Sequence, residues 1–191
     1  MSERVRAFMA ILLPPELIRN AVELQDRVRN RFPPNAVRWV AGDLFHLTLR
    51  FFGDLDRKAL GKASGVVEAL DGAFAPISVR LGRVSAFPST GRPGVIWIAV
   101  DDSGGALSEL AAQADRRIRE AGFGPADKPW ASHLTIGRVD RDRHVRVDRD
   151  WPAGLTSTDE VFTIRTIALM QSELRPQGPR YTPLRTASAL P

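Results

Sequence analysis

The chain has 191 residues, of which 43% are hydrophobic and 26% charged, proportions that support a folded globular protein with a sizeable core. It has no cysteine, which excludes disulfides, a thiolate nucleophile and Cys-based zinc sites, and no apolar run approaches the length of a membrane span. The net charge of +5 suits a polyanionic partner such as nucleic acid, although arginine makes up all but three of the 27 basic residues, a bias that genome composition alone can produce.

In chain order, residues 4–13 read as a buried first strand. The apolar run Ala7 to Leu13 is short for a signal peptide and no small-residue cleavage site follows; the expected location is cytoplasmic. Pro14-Pro15-Glu16 instead opens a helix over 15–31, with Leu17, Ile18, Val22 and Val28 apolar. Pro33-Pro34-Asn35 turns the chain into a short strand at 37–40, and a second strand covers 44–52. Asp56 is placed to cap a helix over 57–71. Strands at 77–84 and 95–100 follow, joined by a loop from Phe87 to Gly94 that is rich in turn formers. Asp102 or Ser103 caps a helix over 105–121, ended by Gly122, and residues 132–139 form another strand. A long strand is expected over 161–173, with a hairpin partner over 180–186 after the turn at 176–179. Between 138 and 150, Arg and Asp alternate around His144, a pattern that suits the rim of an RNA groove or a solvated hairpin.

Two of the three histidines share one pattern: His46-Leu47-Thr48-Leu49 and His133-Leu134-Thr135-Ile136, 87 residues apart. Each copy alternates polar with apolar residues, the period of a half-buried strand, so His and Thr project from one face and the aliphatics from the other. With 9 threonines among 191 residues, accident does not place one two positions after two of three histidines. His144 lacks such a partner and reads as a bystander. Two copies supply a pair of acid/base imidazoles and a pair of hydroxyls, which suits a phosphate with two bridging oxygens. A tryptophan precedes each copy (Trp39 and Trp130), and elements recur in the same rough order in both halves, as after an internal duplication.

These residues resemble the 2H phosphoesterase superfamily. Arg38-Trp39-Val40 followed by His46-Leu-Thr-Leu-Arg-Phe-Phe-Gly53 is similar to the first motif of the RNA 2′,3′-cyclic phosphodiesterases, also called the 2′-5′ RNA ligase family. The segments Leu81-Gly-Arg-Val-Ser-Ala-Phe-Pro88, Val95-Ile-Trp-Ile98, Lys128-Pro-Trp-Ala-Ser-His-Leu-Thr-Ile-Gly-Arg-Val139 and Met170 to Leu184 match it in order. The resemblance implies an α+β, bilobed, pseudo-two-fold 2H phosphoesterase fold, with two antiparallel sheets around a central cleft and helices outside. The whole chain, 1–191, is then one structural domain of two interleaved lobes. It implies hydrolysis of 2′,3′-cyclic phosphate ends to 2′-phosphomonoesters, with His46 as proton donor and His133 as proton acceptor. The implied substrates are RNA ends or small cyclic nucleotides. Where many family members carry a basic residue one or two positions before the second His, this chain has Ala131 and Ser132.

The chemistry fits those residue types. One imidazole activates water and the other protonates the leaving oxygen, while Thr48 and Thr135 hold the non-bridging oxygens, with no metal or cofactor required. For Arg50 and Arg138, strand parity puts Arg50 on the His46 face and Arg138 opposite His133, unless Gly137 introduces a bulge; both are candidate phosphate contacts. Trp39, Phe52, Trp130 and Tyr181 are candidates to stack a base, with core packing as the alternative for each. A metal-dependent hydrolase would want a clustered ligand motif such as His-Glu-x-x-His, which is not evident. The remaining alternatives are 2′-5′ ligation, the same chemistry reversed, and a non-catalytic nucleotide-binding module. Nothing in the sequence suggests an obligate interface, and a monomer is expected.

Overall fold

The computed structural model describes residues 4–140, 147–157 and 159–191. Much of the Arg/Asp alternation, including His144, lies outside the described residues. The chain begins with strand β1 (Val5–Leu12) and helix α1 (Pro15–Arg29), then a short β2 (Val37–Trp39), a 3-10 turn (Gly42–Leu44) and β3 (His46–Leu55). Helix α2 (Arg57–Glu68), the hairpin of β4 (Ile77–Ser89) and β5 (Arg92–Asp101), and helix α3 (Ala106–Glu120) follow. The chain ends in β6 (His133–Val139), β7 (Phe162–Ile164), β8 (Thr166–Arg175) and β9 (Gly178–Ser188).

Local sequence explains most of these boundaries. Proline opens α1 and buries the stripe Leu17, Ala21, Leu24 and Val28, with Glu16 in its first turn and Arg27 and Arg29 in its last, as the helix dipole favours. The Asp56 side chain accepts from the Ala59 N–H at 2.8 Å and caps α2. At α3 the cap is Gly105, in the left-handed region (φ +76°), and Asp102 reaches the Leu107 N–H at 3.4 Å from outside the helix.

Two expectations fail. The segment from Phe87 to Gly94 is not an open loop, because β4 and β5 stay paired out to Ser89 and Arg92 and turn tightly at the tip. The long strand expected over 161–173 is two strands: β7 pairs with β4, and after Arg165 the chain crosses to the other sheet, where β8 pairs with β1. Continuous apolar character does not reveal which sheet a strand joins.

Strand order is β3-β1-β8-β9 in one sheet and β2-β6-β5-β4-β7 in the other, with every pair antiparallel. Two antiparallel sheets with three helices are the α+β architecture that the sequence resemblance implies. The main apolar core gathers residues of both sheets and all three helices, including Met9, Ile11, Leu47, Ile98, Leu134 and Ile136. A second, smaller apolar cluster lies on the opposite face of the first sheet and contains Phe8, Ala10, Ala168 and Met170. Among the described residues, no helix is long and apolar enough to cross a membrane.

Candidate active site

The two motif strands share one irregularity. On β3, Thr48 stands opposite Ala10 and Arg50 opposite Met9, so Leu49 is an extra, unpaired residue. On β6, Thr135 stands opposite Trp97 and Gly137 opposite Ile96, so Ile136 is extra. The fourth residue of each motif is thus a β-bulge, which shifts the side-chain alternation by one. His46, Thr48 and Phe51 therefore share a face with their partners Leu12, Ala10 and Phe8. Likewise His133, Thr135 and Arg138 share a face with Ala99, Trp97 and Val95. Gly137 is needed beside the second bulge, since a Cβ there would stand 2.8 Å from Val37 Cγ1 and 3.0 Å from the Trp39 ring.

Both imidazoles are held in the same way. His46 Nδ1 donates to the Leu44 carbonyl and His133 Nδ1 to the Ala131 carbonyl, each at 2.8 Å and each two residues back. A carbonyl only accepts, so Nδ1 carries the proton in the neutral ring and Nε2 is left to react. His46 Nε2 lies 3.0 Å from Thr48 Oγ1. Burial pushes the His46 pKa below the ordinary imidazole value; the Leu44 hydrogen bond opposes this, and the charges of Arg138 and His133 add to it. Strands β3 and β6 lie in contact, so His46 on one sheet neighbours the face of the other that carries His133 and Arg138.

Aromatic rings line the cleft. Phe8 is 4.9 Å from His46, and Tyr181 on β9 meets the imidazole edge-on at 5.4 Å. Burial raises the Tyr181 pKa against the opposing pull of Arg138 and Arg6, so its hydroxyl remains a donor at neutral pH. On the other wall Phe87 is 5.3 Å from His133 and stacks on Trp97 at 5.0 Å.

Of the expected contacts, Arg50 and Phe52 need correction. The Leu49 bulge turns Arg50 away from His46, and its guanidinium is tied to Asp115 at 3.2 Å, to the Pro125 carbonyl at 2.7 Å and to the Gly124 carbonyl. Phe52 packs on Phe123 at 4.9 Å, on the side of the main core. Trp39 also faces that core, edge-on to Phe32 at 6.0 Å. Trp130 is half-buried, and its indole N–H is committed to the Thr48 carbonyl at 2.9 Å. Ser132 donates to the Val100 carbonyl at 2.6 Å, a bond within the fold.

Sequence reasoning missed three residues. Phe51, 64% exposed, and Phe87, 41% exposed, are the large apolar side chains that open onto the cleft walls. Phe51 was hidden by the bulge and Phe87 by its reading as loop. The third is Gln25 on α1, only 4% exposed, whose amide donates to the Val40 and Ile136 carbonyls at 2.7 Å each. A polar residue inside an otherwise apolar helix stripe was the available signal.

The profile of the LigT-like phosphoesterases matches residues 11–97. The RNA 2′,3′-cyclic phosphodiesterase of Archaeoglobus fulgidus is 31% identical over 173 residues, covering 86% of this chain and 96% of that relative. Its Thermus thermophilus namesake is 31% identical over 198 residues, covering 96% of this chain and 90% of the relative. A crystal structure of a Thermus thermophilus protein superposes with a TM-score of 0.81 at 28% identity, covering 97% and 98% of the two chains. Escherichia coli LigT, solved with 3′-AMP, shares the fold with a TM-score of 0.74 at 22% identity, over 99% of this chain and all of its own. Likeness of this extent and level places the chain in the LigT-like phosphoesterase family, the family of the RNA 2′,3′-cyclic phosphodiesterases.

Proposed function

We propose that this protein hydrolyses the 2′,3′-cyclic phosphate at an RNA end to a 2′-phosphomonoester, with the two motif histidines dividing the proton transfers. The observation that carries this reading is the matched tethering of His46 and His133 through Nδ1, which reserves Nε2 of each ring for proton transfer, that of His46 beside the Thr48 hydroxyl. His133 Nε2 takes a proton from water as the water oxygen bonds to phosphorus. The bond from phosphorus to the 3′ oxygen breaks, and His46 Nε2 delivers its proton to that oxygen. Thr48 and Thr135 hold the non-bridging oxygens as charge accumulates on them, and Arg138 adds a cation beside His46.

Substrate charge completes the donor. In the free protein burial and the nearby charge of Arg138 disfavour His46 protonation. An anionic phosphodiester beside the same groups offsets that repulsion and returns the proton to His46 when it is needed. Phe51 and Phe87 supply stacking surfaces for the base.

The test is hydrolysis of an oligoribonucleotide ending in a 2′,3′-cyclic phosphate, run in EDTA, with the product phosphate located by NMR. A 2′-phosphate product is expected, with undiminished rate in EDTA. His46→Ala and His133→Ala should each lower kcat by about 10²–10⁴-fold, the usual worth of a positioned acid or base. A 3′-phosphate product would reverse the leaving-group assignment. Tight binding without turnover would reduce the protein to a binding module.

A further inference from the structure

Arg38 and Arg138 stand directly opposite one another where β2 pairs with β6. Like charges in that register repel and destabilise a sheet. Among the described residues neither guanidinium has a hydrogen bond or ion pair, whereas Arg50 is tied to Asp115 and two carbonyls. The shared register puts Arg38 on the cleft face with Arg138, His133 and Thr135, while its neighbour Trp39 packs into the core. Arg138 is close enough to His46 to act on its charge; Arg38 lies one strand farther out, on the sheet's edge strand. The cleft thus carries a row of cationic and hydroxyl groups that runs outward past the reacting position.

We propose that Arg38, beside Arg138, binds the backbone phosphodiester preceding the terminal nucleotide, so that the enzyme selects RNA chains over nucleoside 2′,3′-cyclic monophosphates. This rests on the hydrolysis reading above. A cyclic mononucleotide has a single phosphate, which the histidines, threonines and Arg138 occupy. An RNA end carries a second phosphate one nucleotide away, and it relieves the Arg38–Arg138 repulsion on binding.

The experiment compares kcat/KM for adenosine 2′,3′-cyclic phosphate, the dinucleotide ApA ending in the same group, and that dinucleotide with a neutral methylphosphonate linkage. The wild-type protein should prefer the charged dinucleotide by about tenfold or more, the scale of one hydrogen-bonded charge contact. The methylphosphonate should lose that preference. Arg38→Gln should lower the dinucleotide-to-mononucleotide ratio by a similar factor and leave Tm equal or higher, since it removes a repulsion. The preference should also weaken with salt, with a logarithmic slope of about −0.7 for the one added phosphate. An unchanged ratio in Arg38→Gln, a lower Tm, or a methylphosphonate as good as the phosphodiester would overturn the subsite. If the wild type turns over none of the three substrates, the hydrolysis reading itself fails and takes the subsite with it.

Discussion

Arg138 illustrates how one side chain serves two purposes. It shares a strand face with His133 and Thr135, where the proposed mechanism puts the phosphate, and its charge pulls the His46 pKa down. Replacing it with Gln removes a positive neighbour, so the His46 pKa should rise. Titration of the His46 Cε1 proton by NMR reads this directly, and the matching inflection of kcat/KM against pH should move to higher pH with it. The same substitution should cost about 1.5–3 kcal/mol of transition-state binding, roughly ten- to a hundredfold in kcat/KM. Inorganic phosphate should likewise raise the His46 pKa in the wild type; no movement on saturation would show that the anion binds elsewhere. His46, Thr48, His133 and Thr135 were visible in the sequence because period-two alternation puts each His beside its Thr without any knowledge of neighbouring strands. Arg50 and Arg138 lie beyond the fourth motif residue, where local alternation stops being a guide.

The bulges are the element-scale reason. An extra residue moves everything after it to the other face, and Leu49 carries no sequence mark of that role. Gly137 does mark the second bulge, and it was the one hint that Arg138 faces the cleft. Helix α2 was legible from Asp56 because a cap acts within one turn, whereas the break between β7 and β8 depends on which sheet each half joins. Gln25 belongs to this scale. Its amide reaches the carbonyl of the bulged Ile136 and that of Val40 in the segment following β2. Gln25→Leu should lower stability by about 1–3 kcal/mol in urea unfolding, the cost of leaving buried carbonyls short of a donor. It should also depress kcat/KM through Arg138, so Gln25→Leu and Arg138→Gln together should cost less than the sum of their separate effects. Additive losses would mean that Gln25 supports the fold and does nothing for the cleft.

Across the whole molecule the two motifs are braced from opposite halves of the chain. Gln25, from the first half, holds the bulge of the second motif, and Trp130, from the second half, donates to the Thr48 carbonyl of the first. Trp130→Phe keeps the ring and deletes the donor. It should cost about 1 kcal/mol of stability and lower kcat more than it raises KM, because the relation between the histidines loosens while the phosphate contacts remain. An effect confined to KM would return Trp130 to the role of a base-stacking group. The basic composition suits an anionic partner, but only the assembled cleft separates arginines that face it from those spent on carbonyls and helix ends.

The first sheet has a consequence for how the protein is made. Its strands β3 and β1 leave the ribosome early, yet β1 finds its other neighbour only in β8, and Tyr181 arrives on β9. Until then the sheet is a two-stranded ribbon, marginal on its own, with Phe8 and Ala10 uncovered. The wall that carries His46 therefore assembles only once β8 and β9 have been made, more than a hundred residues after the motif itself.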